Sequence, residues 1–132
     1  VGLGVDGAAS NDTQNMLESF RIAAYLQRAT HKRADLLGFG EMIDMACGGV
    51  NPTMGLPEVV GGVTVGAPAD LTVIRFDRDF ATLPVSDPGA SILTTGSPSI
   101  VDTVLVNGEV VIADGHSTRV DESALTAQIA TL

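Results

Sequence analysis

The chain has 132 residues, 45% hydrophobic and 17% charged, with a mean hydropathy of +0.29; this is material for one folded domain and excludes a disordered chain. Seven Lys and Arg against sixteen Asp and Glu give a net charge of −9, so neither a nucleic-acid backbone nor an anionic membrane surface is an expected partner. Trp is absent and there is one Cys, which disfavours base-stacking platforms, an internal disulfide and a multi-cysteine zinc site; with no 18-residue apolar run and no basic-then-apolar leader, the expected setting is cytoplasmic.

Residues 1–5 (Val1-Gly2-Leu3-Gly4-Val5) read as a strand ending at Asp6-Gly7. Gly2 and Gly4 suit a strand that another backbone or a ligand approaches closely. The chain opens inside this run without an initiator Met, which reads as a piece of a longer protein, since domains usually begin with a few loosely held polar residues. Residues 8–14 are small and polar and form a loop. Asn15 or Thr13 caps a helix over 16–29, with Glu18 as capping-box partner of Asn15. Met16, Leu17, Phe20, Ala23, Ala24 and Leu26 share one side of it, and His31-Lys32-Arg33 suits a helix C-terminus. A second helix spans 39–46 on the period of Phe39, Met42, Ile43 and Ala46, and ends at Gly48-Gly49. Asn51-Pro52 opens a short turn that Gly55 closes.

From Val59 the texture is β. Residues 59–66 are turn-rich and short-stranded, and 70–77 make the strongest strand of the chain. Pro84, Pro88 and Pro98 break the next stretch into loops, with a short strand at 91–94. Residues 101–106, then Asn107-Gly108, then 109–113 form a β-hairpin on a type I′ turn. Asp114-Gly115 is a second turn, and Asp121 caps a last helix over 122–131.

The densest chemistry lies in Asp6-Gly7-Ala8-Ala9-Ser10-Asn11-Asp12. A carboxylate at the C-terminal end of a strand, before a small-residue loop and a helix, occupies the rim where α/β barrels bind ligands and metals. Asp6 fits a hard oxygen ligand or a general base beside a metal; a plain strand-ending turn is the other reading. Ser10 and Asn11 either position a substrate or support the helix start, and Asp12 reads as a cap. His31 and His116 are the only histidines, far apart and outside HxH, HxxxH or HExxH spacing; they read as helix-end and loop residues. Cys47 reads as a buried small hydrophobe, and Met16, Met42, Met45 and Met54 as core. A zinc site needs three or more ligands, so these residues supply one corner of a site.

Val1-Gly2-Leu3-Gly4-Val5-Asp6-Gly7-Ala8-Ala9-Ser10-Asn11-Asp12, followed by Asn15-Met16-Leu17-Glu18 and Ala23-Ala24-Tyr25-Leu26-Gln27-Arg28, resembles the last barrel strand and helix of amidohydrolase-superfamily enzymes. The likeness is to the branch of nucleobase and nucleoside deaminases and s-triazine hydrolases. Glu41-Met42-Ile43-Asp44-Met45-Ala46, with Gly48-Gly49 and Met54-Gly55-Leu56, is similar to that family's helix after the barrel. Residues 62–74 are similar to its segment returning to a small β-sandwich, and residues 101–115 to its closing hairpin. The resemblance implies an α/β class: the C-terminal part of a (β/α)8 barrel (last strand and helices, residues 1–57), then short β-sandwich strands with hairpin 101–113 and a terminal helix (residues 58–132).

It further implies that Asp6 binds a divalent metal, zinc first and iron second, and accepts a proton from the attacking water. Ser10 and Asn11 match a Ser-Asn pair that supports site or substrate. The implied reaction is hydrolysis of a C–N bond, a deamination, on a nucleobase-like or triazine-like heterocycle. The implied partners are that small molecule and the remaining N-terminal barrel portion, which would carry the HxH, the two further His and the catalytic Glu that have no counterpart here; a homo-oligomer stays open. The chain alone is then not expected to be active. Ala67-Pro68 stands where the family has a Lys, and Asn51-Pro52-Thr53 where Gly-Ala is usual. The competing readings are a non-catalytic acidic β-rich binding module, with Asp6 a turn residue, and a catalytically dead homologue.

Overall fold

A computed structural model describes residues 1–48, 55 and 62–131. Residues 1–5 are extended but join no sheet among the described residues. Their one ladder-like contact is the Leu3 N–H, which donates to the Met45 carbonyl at 3.1 Å. The strand expected there therefore lacks a strand to pair with.

Helix α1 (Met16–His31) starts where Asn15, in extended conformation, turns its side-chain oxygen onto the Leu17 and Glu18 N–H groups. The reciprocal half of the expected capping box is filled differently: the Asn15 N–H donates to Thr13 Oγ1 at 3.1 Å, so Thr13 does the work expected of Glu18. Asp12, read as a cap, sits three residues too early and stays exposed. At the far end Lys32 takes a left-handed conformation (φ 53°), and its N–H and that of Arg33 close onto the Ala29 and Arg28 carbonyls. Arg28 then reaches across the connection to the carbonyls of Leu36 (2.7 Å) and Leu37 (3.1 Å). Helix α2 (Phe39–Ile43) begins with the Gly38 N–H on Glu41 Oε2 at 2.8 Å and passes into a π-helical turn at Asp44–Gly48. The helix expected over 39–46 is thus α-helical in its first half only. Cys47, expected buried, is exposed on that wider turn. The expected turn at 51–54 and the start of the 59–66 stretch lie outside the described residues, and 62–66 form bends and turns, not a strand.

Helix α3 (Pro88–Thr95) replaces the short strand expected at 91–94. Pro88, expected as a breaker, occupies the first helical position, where a missing N–H costs nothing, and Asp87 caps the helix through the Ala90 N–H at 2.9 Å. Phe20, Ala24, Met42 and Leu93 form the buried core between α1, α2 and α3, with Leu3, Met16, Leu17, Leu37, Ile43 and Ala46 against it. Gly89 lets α2 and α3 meet: a Cβ there would fall 2.8 Å from Phe39 Cδ1. Arg21 of α1 finishes the end of α3 by donating to the Gly96 carbonyl at 2.6 Å.

The second layer is a four-stranded antiparallel sheet in the order β1 (Leu71–Ile74), β2 (Val101–Val106), β3 (Glu109–Ala113), β4 (His116–Ser117). Leu71 faces Leu105 and Ile74 faces Val101 across β1 and β2; Val106 faces Glu109 across the hairpin. Asn107 and Gly108 both have positive φ (49° and 82°), as a type I′ turn demands, and Asp114-Gly115 repeats the device (52° and 81°). The strand expected over 70–77 stops at Ile74, because 3₁₀ turns at Phe76–Arg78 and Phe80–Thr82 take over the backbone. Arg78 anchors that corner, 2.5 Å from Asp102 Oδ1 and 3.2 Å from Asp114. Asp102 Oδ1 has no hydrogen-bond partner among the described residues, so its contact with Arg78 is an ion pair and not a directed hydrogen bond. Helix α4 (Glu122–Ile129) is capped by Asp121 as expected (Ala124 N–H, 2.9 Å) and is exposed along its length. Among the described residues all strand pairs are antiparallel.

Candidate metal-ligand loop

The loop between the extended segment and α1 is built by its own polar groups. The Gly7 carbonyl accepts the N–H groups of Ser10 and Asn11, both at 2.9 Å, which turns the chain back toward the helix. Asn11 Nδ2 donates to the Val5 carbonyl at 2.8 Å, and Gln14 Nε2 reaches the Asp6 carbonyl at 3.4 Å. Asp6 sits at the apex in the left-handed region (φ 61°). Asp and Asn tolerate that region better than other non-glycine residues because a short polar side chain can bond locally. Here Asp6 Oδ1 accepts the Gly7 N–H at 2.8 Å, while Oδ2 takes no hydrogen bond among the described residues. The carboxylate is exposed.

The segment 1–5 runs back along α1. Val1 lines a cleft of about 720 Å³ together with His31, at the C-terminal end of α1, whereas Asp6 is tied to Gln14, beside its N-terminal end. Sixteen helical residues separate these ends by about 24 Å. Asp6, Ser10 and Asn11 therefore share one loop, and His31 stands at the other end of the helix. His116 lies on β4, its Nδ1 2.8 Å from Glu122 Oε2. That contact and the Ser117 N–H hold the Glu122 carboxyl below the usual range. The described residues contain no group of three or more His, Cys, Asp or Glu placed to hold a metal ion. Zinc and similar divalent cations take imidazole nitrogen and carboxylate oxygen, three or more donors to a site. Asp6 Oδ2 is one such donor; the remaining donors have to come from elsewhere.

Ser10 presents an exposed side chain, so it is available to a ligand; Asn11 is half-buried and committed to the backbone. Gln14 has no role that its sequence position announces; its signal is faint, a polar side chain just before a cap, able to return to a loop that a carboxylate starts.

Residues 1–111 match the amidohydrolase family, and the chain belongs to it. It is 38% identical over 125 residues to a 5-methylthioadenosine/S-adenosylhomocysteine deaminase of Pyrococcus furiosus, covering 95% of this chain and 29% of that protein. It is 32% identical over 114 residues to an S-triazine hydrolase of Gordonia rubripertincta, covering 86% of this chain and 24% of that protein. Among solved structures, an adenosine deaminase from Xanthomonas campestris with bound zinc superposes with a TM-score of 0.86 at 25% identity, over 98% of this chain and 29% of the other. An atrazine chlorohydrolase from Arthrobacter aurescens TC1 complexed with zinc gives 0.83 at 29% identity, over 99% and 29%. The chain thus spans under a third of the length of these relatives. No described helix is long and apolar enough to cross a membrane.

Proposed function

We propose that this chain is the C-terminal portion of a metal-dependent aminohydrolase that cleaves a C–N bond on a nucleobase-like or triazine-like heterocycle, and that it is inactive alone. Residues 1–57 are the last β/α unit and following helices of the barrel. Residues 58–132 are the C-terminal part of a small β-sandwich, with the hairpin and terminal helix. The remaining N-terminal portion of the same enzyme is the partner; it brings the other metal donors and the substrate-selecting loops, and the substrate is a small heterocycle. The antiparallel course of segment 1–5 along α1 supports the β/α reading. So does the unmatched apolar surface: Val1 is 94% exposed and Leu26 60%, beside the cleft that Leu36, Leu37 and Met45 also line. An apolar area of this kind on a folded chain marks a face that something else covers.

One observation carries the functional reading: a carboxylate at the end of an extended segment, one oxygen held by its own loop and the other bare. Asp6 Oδ2 is the donor this chain offers a divalent cation, zinc in preference to iron. A cation held there would supply Lewis acidity that activates water near neutral pH. Asp6 also takes the proton from the attacking water and returns it to the leaving amine; Ser10 lies within the same loop for the substrate. The Gly7 N–H on Oδ1 restrains the Asp6 carboxylate and leaves Oδ2 open. Asp6→Asn in the full-length enzyme removes both the anionic donor and the proton acceptor. It is expected to lower kcat by about 10²–10⁴-fold and to lower bound zinc by elemental analysis. Wild-type turnover with full zinc content would reject the assignment.

A further inference from the structure

Asp6 is fixed from both sides, and neither fixing bond comes from regular secondary structure. A peptide unit is planar, so a hydrogen bond to the Val5 carbonyl sets the plane that contains the Asp6 nitrogen. Asn11 Nδ2 makes that bond at 2.8 Å. The plane on the other side contains the Asp6 carbonyl and the Gly7 nitrogen. Gln14 Nε2 approaches its oxygen at 3.4 Å, and its N–H holds Asp6 Oδ1 at 2.8 Å. The two planes together restrain φ and ψ at Asp6, where φ is 61°, and the Gly7 N–H on Oδ1 restrains the side chain and so the direction of Oδ2. Asn11 is half-buried, and its donor points into the protein chain and not outward.

We infer that Asn11 is a positioning residue for the Asp6 carboxylate and not a substrate contact, with Gln14 a weaker second clamp. This rests on the proposal that Asp6 is a metal ligand. Without Asn11 the Val5–Asp6 plane is free to rotate toward the ordinary right-handed or extended regions, and the carboxylate swings away from the direction it now holds. The expected consequence is a looser metal site with an intact fold, since groups that orient a ligand typically change metal affinity by about 10–100-fold.

The test uses the full-length enzyme with Asn11→Ala, Asn11→Gln, Gln14→Ala and Asp6→Asn. Zinc dissociation constants are measured by competition with a chelator, and the visible spectrum of the cobalt-substituted protein reports ligand geometry. Asn11→Ala is expected to weaken zinc about 10–100-fold and shift the cobalt bands. Asn11→Gln, which keeps the amide donor, should recover part of both, and Gln14→Ala should move them less in the same direction. Wild-type zinc affinity and cobalt spectrum in Asn11→Ala, alongside loss of metal in Asp6→Asn, overturns the Asn11 role and leaves Asp6 standing. Unchanged affinity in Asp6→Asn overturns the site itself. If Asn11→Ala does not fold, Gln14→Ala decides: a shifted spectrum supports the clamp, an unshifted one rejects it.

Discussion

The helical layer and the sheet hold together by different means. In α1, α2 and α3 the side chains Phe20, Ala24, Met42 and Leu93 are removed from water almost completely, and polar groups of Asn15, Glu41 and Asp87 satisfy the helix starts. In the sheet, Ile100 at the entry to β2 is the one hydrophobic residue among the described ones that is equally buried. Val73 of β1 and Val106 of β2 stay about half exposed. Order there comes from ladder hydrogen bonds, two turns with left-handed residues and the Arg78 contacts to Asp102 and Asp114. The helical layer is therefore sensitive to volume, and the sheet to backbone conformation.

The strongest challenge to that contrast is Met42→Ala. Met42 is fully buried at the centre of the helical core, and truncating such a residue costs about 2–5 kcal/mol through lost transfer energy and the cavity left behind. Urea unfolding of the protein carrying this chain should show it, with Val106→Ala on the sheet as the low-cost control. Equal losses at the two positions would erase the distinction. Gly89→Ala probes the same layer from the opposite direction. The added methyl meets Phe39 at 2.8 Å, and overpacking of this sort costs about 1–3 kcal/mol. Melting that is unchanged in Gly89→Ala would mean that α2 and α3 can separate freely.

The same division explains what could be read from the sequence. Several features that depend on neighbours within about four residues stand where the sequence places them: the Asn15 cap, the Asn107-Gly108 hairpin, the Asp114-Gly115 turn and the Asp121 cap; the Asp12 cap and the Asn15–Glu18 box, equally local, do not, because Thr13 takes the Asn15 N–H. Features that depend on distant partners are less legible. Residues 1–5 have strand composition but no described strand beside them. Residues 91–94 have β-branched content, yet Asp87 and Pro88 start a helix whose Leu93 enters the core made by Phe20 and Met42. Cys47 sits on an apolar stretch but faces solvent, because the π-helical turn shifts the phase of the residues after Ile43. The candidate site divides likewise. Asp6 was visible as a carboxylate at a strand end. The link from Asn11 to Val5 spans six residues of irregular loop, for which no periodicity exists to read.

On the sheet the expected effects are smaller. Gly108 holds φ 82° with open space around its absent side chain, so Gly108→Ala meets no steric neighbour and isolates the backbone term. A non-glycine residue in that region costs about 1 kcal/mol, and the denaturation midpoint should fall accordingly. Amide exchange should accelerate in β2 and β3 while α1 stays protected. Loss of protection in α1 as well would show that the two layers open as one unit, against the separation argued above.

Charge on the exposed corner of the sheet should matter least, and it does so in one pH window. Asp79 accepts the Ser97 hydroxyl at 2.6 Å on Oδ2, with Ser99 at 3.3 Å, and the Ala81 N–H at 2.9 Å on Oδ1. These join the 3₁₀ turns to the approach to β2. The Ser97 hydroxyl first, then the Ala81 amide, holds the Asp79 carboxyl below its ordinary value of 3.8. The unfolded chain therefore binds this proton more readily than the folded one. The contribution is complete above 3.8 and is lost as pH falls through the lower folded value. Solvent screening keeps the effect on overall stability small, so the direct observable is the carbon-13 titration of the Asp79 carboxyl. In Ser97→Ala its midpoint should rise toward the ordinary aspartate value, and the acid limb of the stability curve should flatten. A midpoint that stays put in Ser97→Ala would assign the depression to the Ala81 amide and the Ser99 hydroxyl, and would remove Ser97 from the links that join the 3₁₀ corner to β2.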